Sequence, residues 1–129
     1  MKTGYLFFLS ILLSPSLFAQ KQACQGLHEG MFRLVDKLSG TTVIQRTKTQ
    51  QIEENAGMGV KMIFDLTWVN DCTYELRAKE VVKGDQSLMG NKGDVLTIKI
   101  TAVKTNSYVA VTTANFAELV LEKEIEILK

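Results

Sequence analysis

The sequence predicts an all-β domain, an antiparallel up-and-down meander of about eight strands in an open sheet curled towards a small barrel. Three observations predict it. Apolar and polar residues alternate in short runs, the period of strands half-buried on one face. Val, Ile and Thr are frequent in those runs, and no proline follows Pro15. The pieces between the runs hold Gly, Asn, Asp and Ser, which supply turn geometry. No helical stripe of useful length competes, and only 24–30 and 114–118 could hold a helical turn.

Before the first strand comes a segment of another kind. Lys2 precedes the apolar block 5–13, which closes with Ser14, Pro15, Ser16, Leu17, Phe18 and Ala19 before the polar Gln20. A basic start, an apolar block and a breaker-containing end read as a signal peptide over residues 1–19, removed on export to the periplasm or medium. The block is too short to cross a bilayer, which takes roughly 20 apolar residues, so the mature chain is expected to have no membrane span. Cys24 lies near the cut, but Lys21, Gln22 and Ala23 are too polar for a lipid-attachment site.

Of 129 residues, the 19 of the signal leave 110, residues 20–129, enough for a single β domain with a modest core. Of the 15 basic residues only Lys2 is lost, leaving 14 against 14 acidic ones. A neutral chain has no bulk attraction for nucleic acid, and no nucleic-acid partner is expected. The only cysteines, Cys24 and Cys72, read as a disulfide in an exported chain. A closed loop of about 50 residues is worth about 4 kcal/mol in the chain-entropy model. A redox pair or metal site fits poorly, because the cysteines are far apart and His28 is the only histidine.

The strands are expected at about 30–36, 42–48, 50–55, 60–69, 73–82, 94–103, 108–113 and 118–127. Connections this short join spatial neighbours, which gives the meander. Eight such strands could just close into a barrel, whose expected interior at this chain length is filled. In the fourth run Val60, Met62, Phe64, Leu66 and Trp68 share a face, as do Tyr74, Leu76 and Ala78 in the fifth. A two-residue turn at Asn70 and Asp71 would set Leu66 beside Glu75 and Phe64 beside Arg77. Pairing Trp68 with Tyr74, Leu66 with Leu76 and Phe64 with Ala78 avoids that and predicts a three- or five-residue loop holding Cys72, within reach of Cys24. Further on, Leu96, Ile98, Ile100 and Ala102 form one face. Leu119, Leu121, Ile125 and Ile127 form another, with Glu118, Glu122, Glu124 and Glu126 on a solvated side that discourages edge pairing.

Catalytic chemistry has no support in the residues. His28 has no nucleophile motif near it, and Glu53 and Glu54 are adjacent in a strand, so they point to opposite faces and cannot share a substrate. The glycines of 89–94 lack phosphate-loop spacing and a following helix. Asp85, Asn91 and Asp94 match no calcium loop. No catalytic residue, metal or cofactor is expected, and the chain reads as non-enzymatic.

Binding is the open question. Arg33, Arg46 and Arg77 lie within alternating strands and either face water or line a barrel interior, where one could meet a ligand carboxylate. Trp68, Tyr74 and Tyr108 belong either to the core and rim or to a ligand platform. Arg33, Arg46, Trp68, Tyr74 and Tyr108 are the candidate ligand residues.

Gly30, Met31 and Phe32 resemble the glycine-x-aromatic opening of lipocalins, with phenylalanine in place of tryptophan, which implies a lipocalin- or calycin-like barrel. A resemblance over most of the mature chain is carried by Cys24, Gly30, Phe32, Asp36, Ile44, Arg46, Gln51 and Glu53, then by Trp68, Asp71, Cys72, Thr73, Tyr74 and Leu76. These are similar to a group of small exported proteins of Bacteroidota whose function is not established. Some of that group carry the label DNA topoisomerase IV, which a neutral exported domain without a catalytic tyrosine, magnesium site or cationic DNA track does not fit.

Two function classes follow. One is a periplasmic binding module for a small apolar or anionic molecule. The other is a structural module docking onto an envelope protein partner. A continuous cavity lined by Arg46 and aromatics would favour the first, and a filled interior with an exposed apolar patch the second. The sequence does not set the oligomeric state.

Overall fold

Eight strands, each alternating inward and outward side chains, pair in chain order and close on themselves, so that one sheet encloses the core. The computed structural model describes residues 17–129; the expected signal, residues 1–19, lies almost wholly outside them. The strands are β1 (Gly30–Asp36), β2 (Gly40–Arg46), β3 (Gln50–Asn55), β4 (Val60–Asn70), β5 (Thr73–Lys83), β6 (Leu96–Val103), β7 (Ser107–Ala114) and β8 (Val120–Ile127). All pairings are antiparallel. Closure answers the choice between open sheet and barrel, and it leaves no strand unpaired along a whole edge.

Helix α1 (Leu17–Gln25) precedes the barrel and crosses the expected cleavage position, where no helical turn was expected before residue 24. It covers one end. Cys24 is bonded to Cys72 with Cα atoms 5.2 Å apart, and Cys24 and Leu27 are buried against the barrel floor. At this closed end lie the 47–49, 71–72 and 104–106 connections. At the other, open end lie 37–39, 56–59, 84–95 and 115–119. None of the described helices is long and apolar enough to cross a membrane.

The β4–β5 hairpin pairs Trp68 with Tyr74, Leu66 with Leu76 and Phe64 with Ala78, the register that keeps the apolar faces together. The loop differs from expectation. Asn70 pairs with Thr73, so only Asp71 and Cys72 turn, and a bulge at Val69 supplies the odd residue that restores the register. The hairpin outruns its neighbour. Only Thr73–Leu76 of β5 pair with β6, and beyond them the 84–95 connection packs back through the 3-10 turn Gln86–Met89. That turn and another at Ala56–Met58 were not legible as helix, whereas 114–118 contains no helical turn. Both are capped by carboxylate or amide side chains, Asn55 on the Met58 N–H and Asp85 on the Ser87 N–H. β2 begins two residues earlier than expected, because Asp36 accepts from the Leu38 and Ser39 amides and makes the β1–β2 turn tight.

The closing seam between β8 and β1 is short, with Phe32 opposite Ile127 and Arg33 opposite Glu126. Gly30 makes it possible. Its φ is +140°, and a Cβ there would collide with the Lys129 carbonyl, while the next amide, Met31, donates to that same carbonyl. Two ion pairs cross the seam, Arg33 with Glu126 and Lys123 with Asp36.

Candidate functional site

Parity decides which polar side chains enter the barrel. Ile44 and Arg46 share the inward face of β2, and Gln51, directly opposite Arg46, starts the inward face of β3, followed by Glu53 and Asn55. β3 therefore contributes a wholly polar stripe to the interior, while its one isoleucine, Ile52, takes the other parity. Tyr74 from β5 and Tyr108 from β7 enter opposite them, each almost fully buried.

Arg46 sits at the floor beneath α1 and is 2 % exposed. Its Nε donates to Oε1 of Gln51 at 2.8 Å, its Nη1 to the Leu27 carbonyl at 2.7 Å, and its Nη2 to the hydroxyls of Tyr74 at 3.0 Å and Tyr108 at 2.9 Å. Four of five guanidinium N–H groups thus meet protein acceptors, all neutral. The guanidinium carbon also lies 4.4 Å from the Phe32 ring centre and 4.7 Å from that of Tyr74. Aromatic faces and fixed oxygens replace the water this cation gives up. Burial pushes the Tyr74 phenol well above its usual range, so it stays neutral.

Above this floor the barrel is hollow. A cavity of about 180 Å³ is walled by Leu34, Ile44, Leu76, Leu96, Ile98, Ala110 and Ile125, with Gln51, Glu53, Tyr74, Thr112 and Lys123 as its polar members. A second space of about 230 Å³ continues at the open end between Thr42, Asn55, Met58, Met62, Phe64 and Leu88, and Glu53 lines both. The filled interior expected at this chain length is not what the strands enclose. Glu53 is deep among protein atoms yet keeps some accessible surface, because it fronts the two spaces. Its Oε2 accepts from Nε2 of Gln51 at 3.4 Å, so Gln51 bridges Arg46 and Glu53. Burial pushes the Glu53 carboxyl up, against the opposing pull of Gln51 and Arg46. Lys123 runs its stem along the wall and places Nζ 2.8 Å from Oδ2 of Asp36 at the rim. That contact, with the Ser39 and Leu38 amides, holds the Asp36 carboxyl far below the usual range.

The five candidate residues separate. Arg46, Tyr74 and Tyr108 come together at the floor, and of these only Tyr74 also lines the cavity. Arg33 points outward to Glu126, and Arg77 likewise faces out, beside Glu75. Trp68 lies at the closed-end rim, 3.6 Å from the His28 ring in a near-parallel stack, and its buried Nε1–H has no acceptor among the described residues. Sequence reasoning missed Gln51, Glu53 and Lys123 as interior groups. β3 carried no local signal for the first two, because its inward parity, Gln51, Glu53 and Asn55, has no apolar residue to mark it as inward.

Outside the barrel, a recess of about 350 Å³ lies between the 84–95 connection and Asp65, Arg77 and Ala78. Its carboxylates are taken: Asp94 accepts from the Asn91 amide and Asp65 faces Lys79. Among the described residues no three His, Cys, Asp or Glu side chains gather as metal ligands. No family model, curated protein or solved structure matches this chain.

Proposed function

We propose that the protein is an exported, non-enzymatic barrel that holds a small, largely apolar molecule in the open half of its interior. The observation that carries this reading is the hollow, apolar on most of its wall and polar at a few convergent groups. The closed end is pinned by the Cys24–Cys72 bond and the Arg46–Leu27 hydrogen bond, which gives a ligand a rigid floor. The disulfide suits an oxidising compartment, the periplasm or medium. The non-enzymatic reading places the topoisomerase label on the resembling proteins as a propagated error. The anionic-ligand version loses its nominated interior residue, because Arg46 gives four of its five N–H groups to protein acceptors and does not front the hollow.

A second reading is favoured by the open rim. Each connection there carries an exposed apolar side chain: Leu38 at 99 %, Met58 at 60 %, Leu88 at 44 % and Phe116 at 53 %. Apolar loop tips around one end suit docking onto an envelope protein partner.

A native mass spectrum of the protein taken from its own envelope fraction, without reductant, tests the two. Extra small-molecule mass on the oxidised monomer supports the carrier. A stoichiometric protein complex supports the docking module, and turnover abolished by a point change in the hollow would overturn both.

A further inference from the structure

Resting on the reading of the hollow as a ligand site, we propose that it selects an organic monocation, an ammonium group on a compact apolar body, with the ammonium seated on the Glu53 carboxylate. The charged groups of the interior are all accounted for except this one. Arg46 is spent on four neutral acceptors at the floor. Lys123 is spent on Asp36, whose orientation is fixed by two backbone amides. Glu53 has a single hydrogen bond among the described residues, from Gln51 at 3.4 Å, whereas a carboxylate can accept about four.

An under-satisfied carboxylate in an apolar hollow is costly, and an arriving ammonium removes the cost by supplying short, charge-assisted hydrogen bonds. Glu53 lines both spaces, so a ligand seated there could place its apolar body in the inner one, against Leu76, Ile98 and Ile125. A cavity of about 150 Å³ holds a benzene ring. The inner space, at about 180 Å³, therefore suits a body of this size. Binding of the cation draws Glu53 into its ionised form, and any proton it carried leaves to solvent.

Calorimetry on the oxidised protein with benzylamine, benzyl alcohol and benzoate tests this. Benzylamine is expected to bind at least tenfold more tightly than the other two. Glu53→Gln is expected to remove that advantage, bringing benzylamine and benzyl alcohol to within about twofold of each other, and it should fold, since it replaces a buried charge by an isostere. A pH series on the unaltered protein needs no variant: the amine's advantage over the alcohol shrinks as pH falls and the Glu53 carboxyl, raised by burial, protonates; the other ionisable groups on the hollow and its floor are Lys123 with its partner Asp36, Arg46, Tyr74 and Tyr108. Equal binding of amine and alcohol overturns the charge selection but leaves the hollow as a ligand site. Preferred benzoate binding, lost in Lys123→Met, overturns it in favour of an anion site. If none of the three binds, both readings fall.

Discussion

Nη2 of Arg46 lies 2.9 Å from the hydroxyl of Tyr108, and this contact joins residues 62 apart in sequence at the centre of the barrel floor. Both side chains are almost fully buried, and the Tyr108 ring stands edge-on to Phe32 at 5.6 Å. Arg46 thereby ties β2 to β3, β5, β7 and Leu27, two residues past the end of α1. A cation in this place is a structural keystone, and the clearest consequences of the account concern it.

Arg46→Met should destabilise the fold by about 3 kcal/mol or more, because it leaves the Leu27 carbonyl, Gln51 and two phenols without their donor. Arg46→Lys should recover only part, since an ammonium cannot reproduce the planar fork. Tyr108→Phe, which strands one N–H, should cost about 1–2 kcal/mol. Urea unfolding midpoints measure all three.

Breaking the Cys24–Cys72 bond by paired serine substitution should cost about 2–4 kcal/mol. Since the disulfide and Arg46 hold the same cap to the same floor, the two losses should not add. A double-mutant cycle is expected to show coupling of at least 0.5 kcal/mol or so. Strict additivity would mean that α1 and the floor are independent.

Glu53 and Asp36 should respond to pH with opposite signs. The folded Glu53 carboxyl is raised by burial, so the penalty it imposes is absent below its unfolded value of 4.5 and appears as pH rises through its folded value. Glu53→Gln should therefore stabilise the fold at neutral pH and confer little at pH 4. The folded Asp36 carboxyl is lowered by Lys123 and two amides, so its contribution is present above 3.8 and fades as pH falls below that. Asp36→Asn should remove stability at neutral pH and flatten the acid limb of the stability profile.

Gly30→Ala should destabilise through both the +140° φ and the collision with the Lys129 carbonyl at the seam. A cost of about 2 kcal/mol is expected, with increased hydrogen exchange at Met31 and Leu128, whose amides bond across that seam. Gly40→Ala is the control for backbone strain alone, since a Cβ there meets nothing within 4 Å.

The fold was legible because a period-two pattern records which side of a strand is buried, and the Trp68–Tyr74 register followed from keeping charge away from the core. The loop was misjudged because a bulge at Val69 and a longer loop make the same change of parity. The disulfide was legible from the expected export signal and an even cysteine count. The interior was less so. Arg33 and Arg46 occupy similar alternating contexts, yet one meets Glu126 outside and the other two phenols inside. The difference lies in Phe32 and Ile44, the inward neighbours that set the parity of β1 and β2, and in how far barrel closure brings β7 to β2. Glu53 was read as a carboxylate facing away from Glu54 and as one of the positions that carry the resemblance, with no interior role. Which face is the interior depends on pairing with Ile44 and Met62, which no local pattern around residue 53 reveals.

The hollow itself is the central claim, and methyl-detected NMR addresses it directly. Titration with benzyl alcohol should shift the methyl resonances of Ile44, Leu76, Ile98 and Ile125, which wall the cavity, and leave those of Val69 and Leu128 on the outside unmoved. Shifts confined to Leu38, Met58 and Val120 at the exposed rim, with the interior methyls silent, would contradict it and leave the barrel as a docking module.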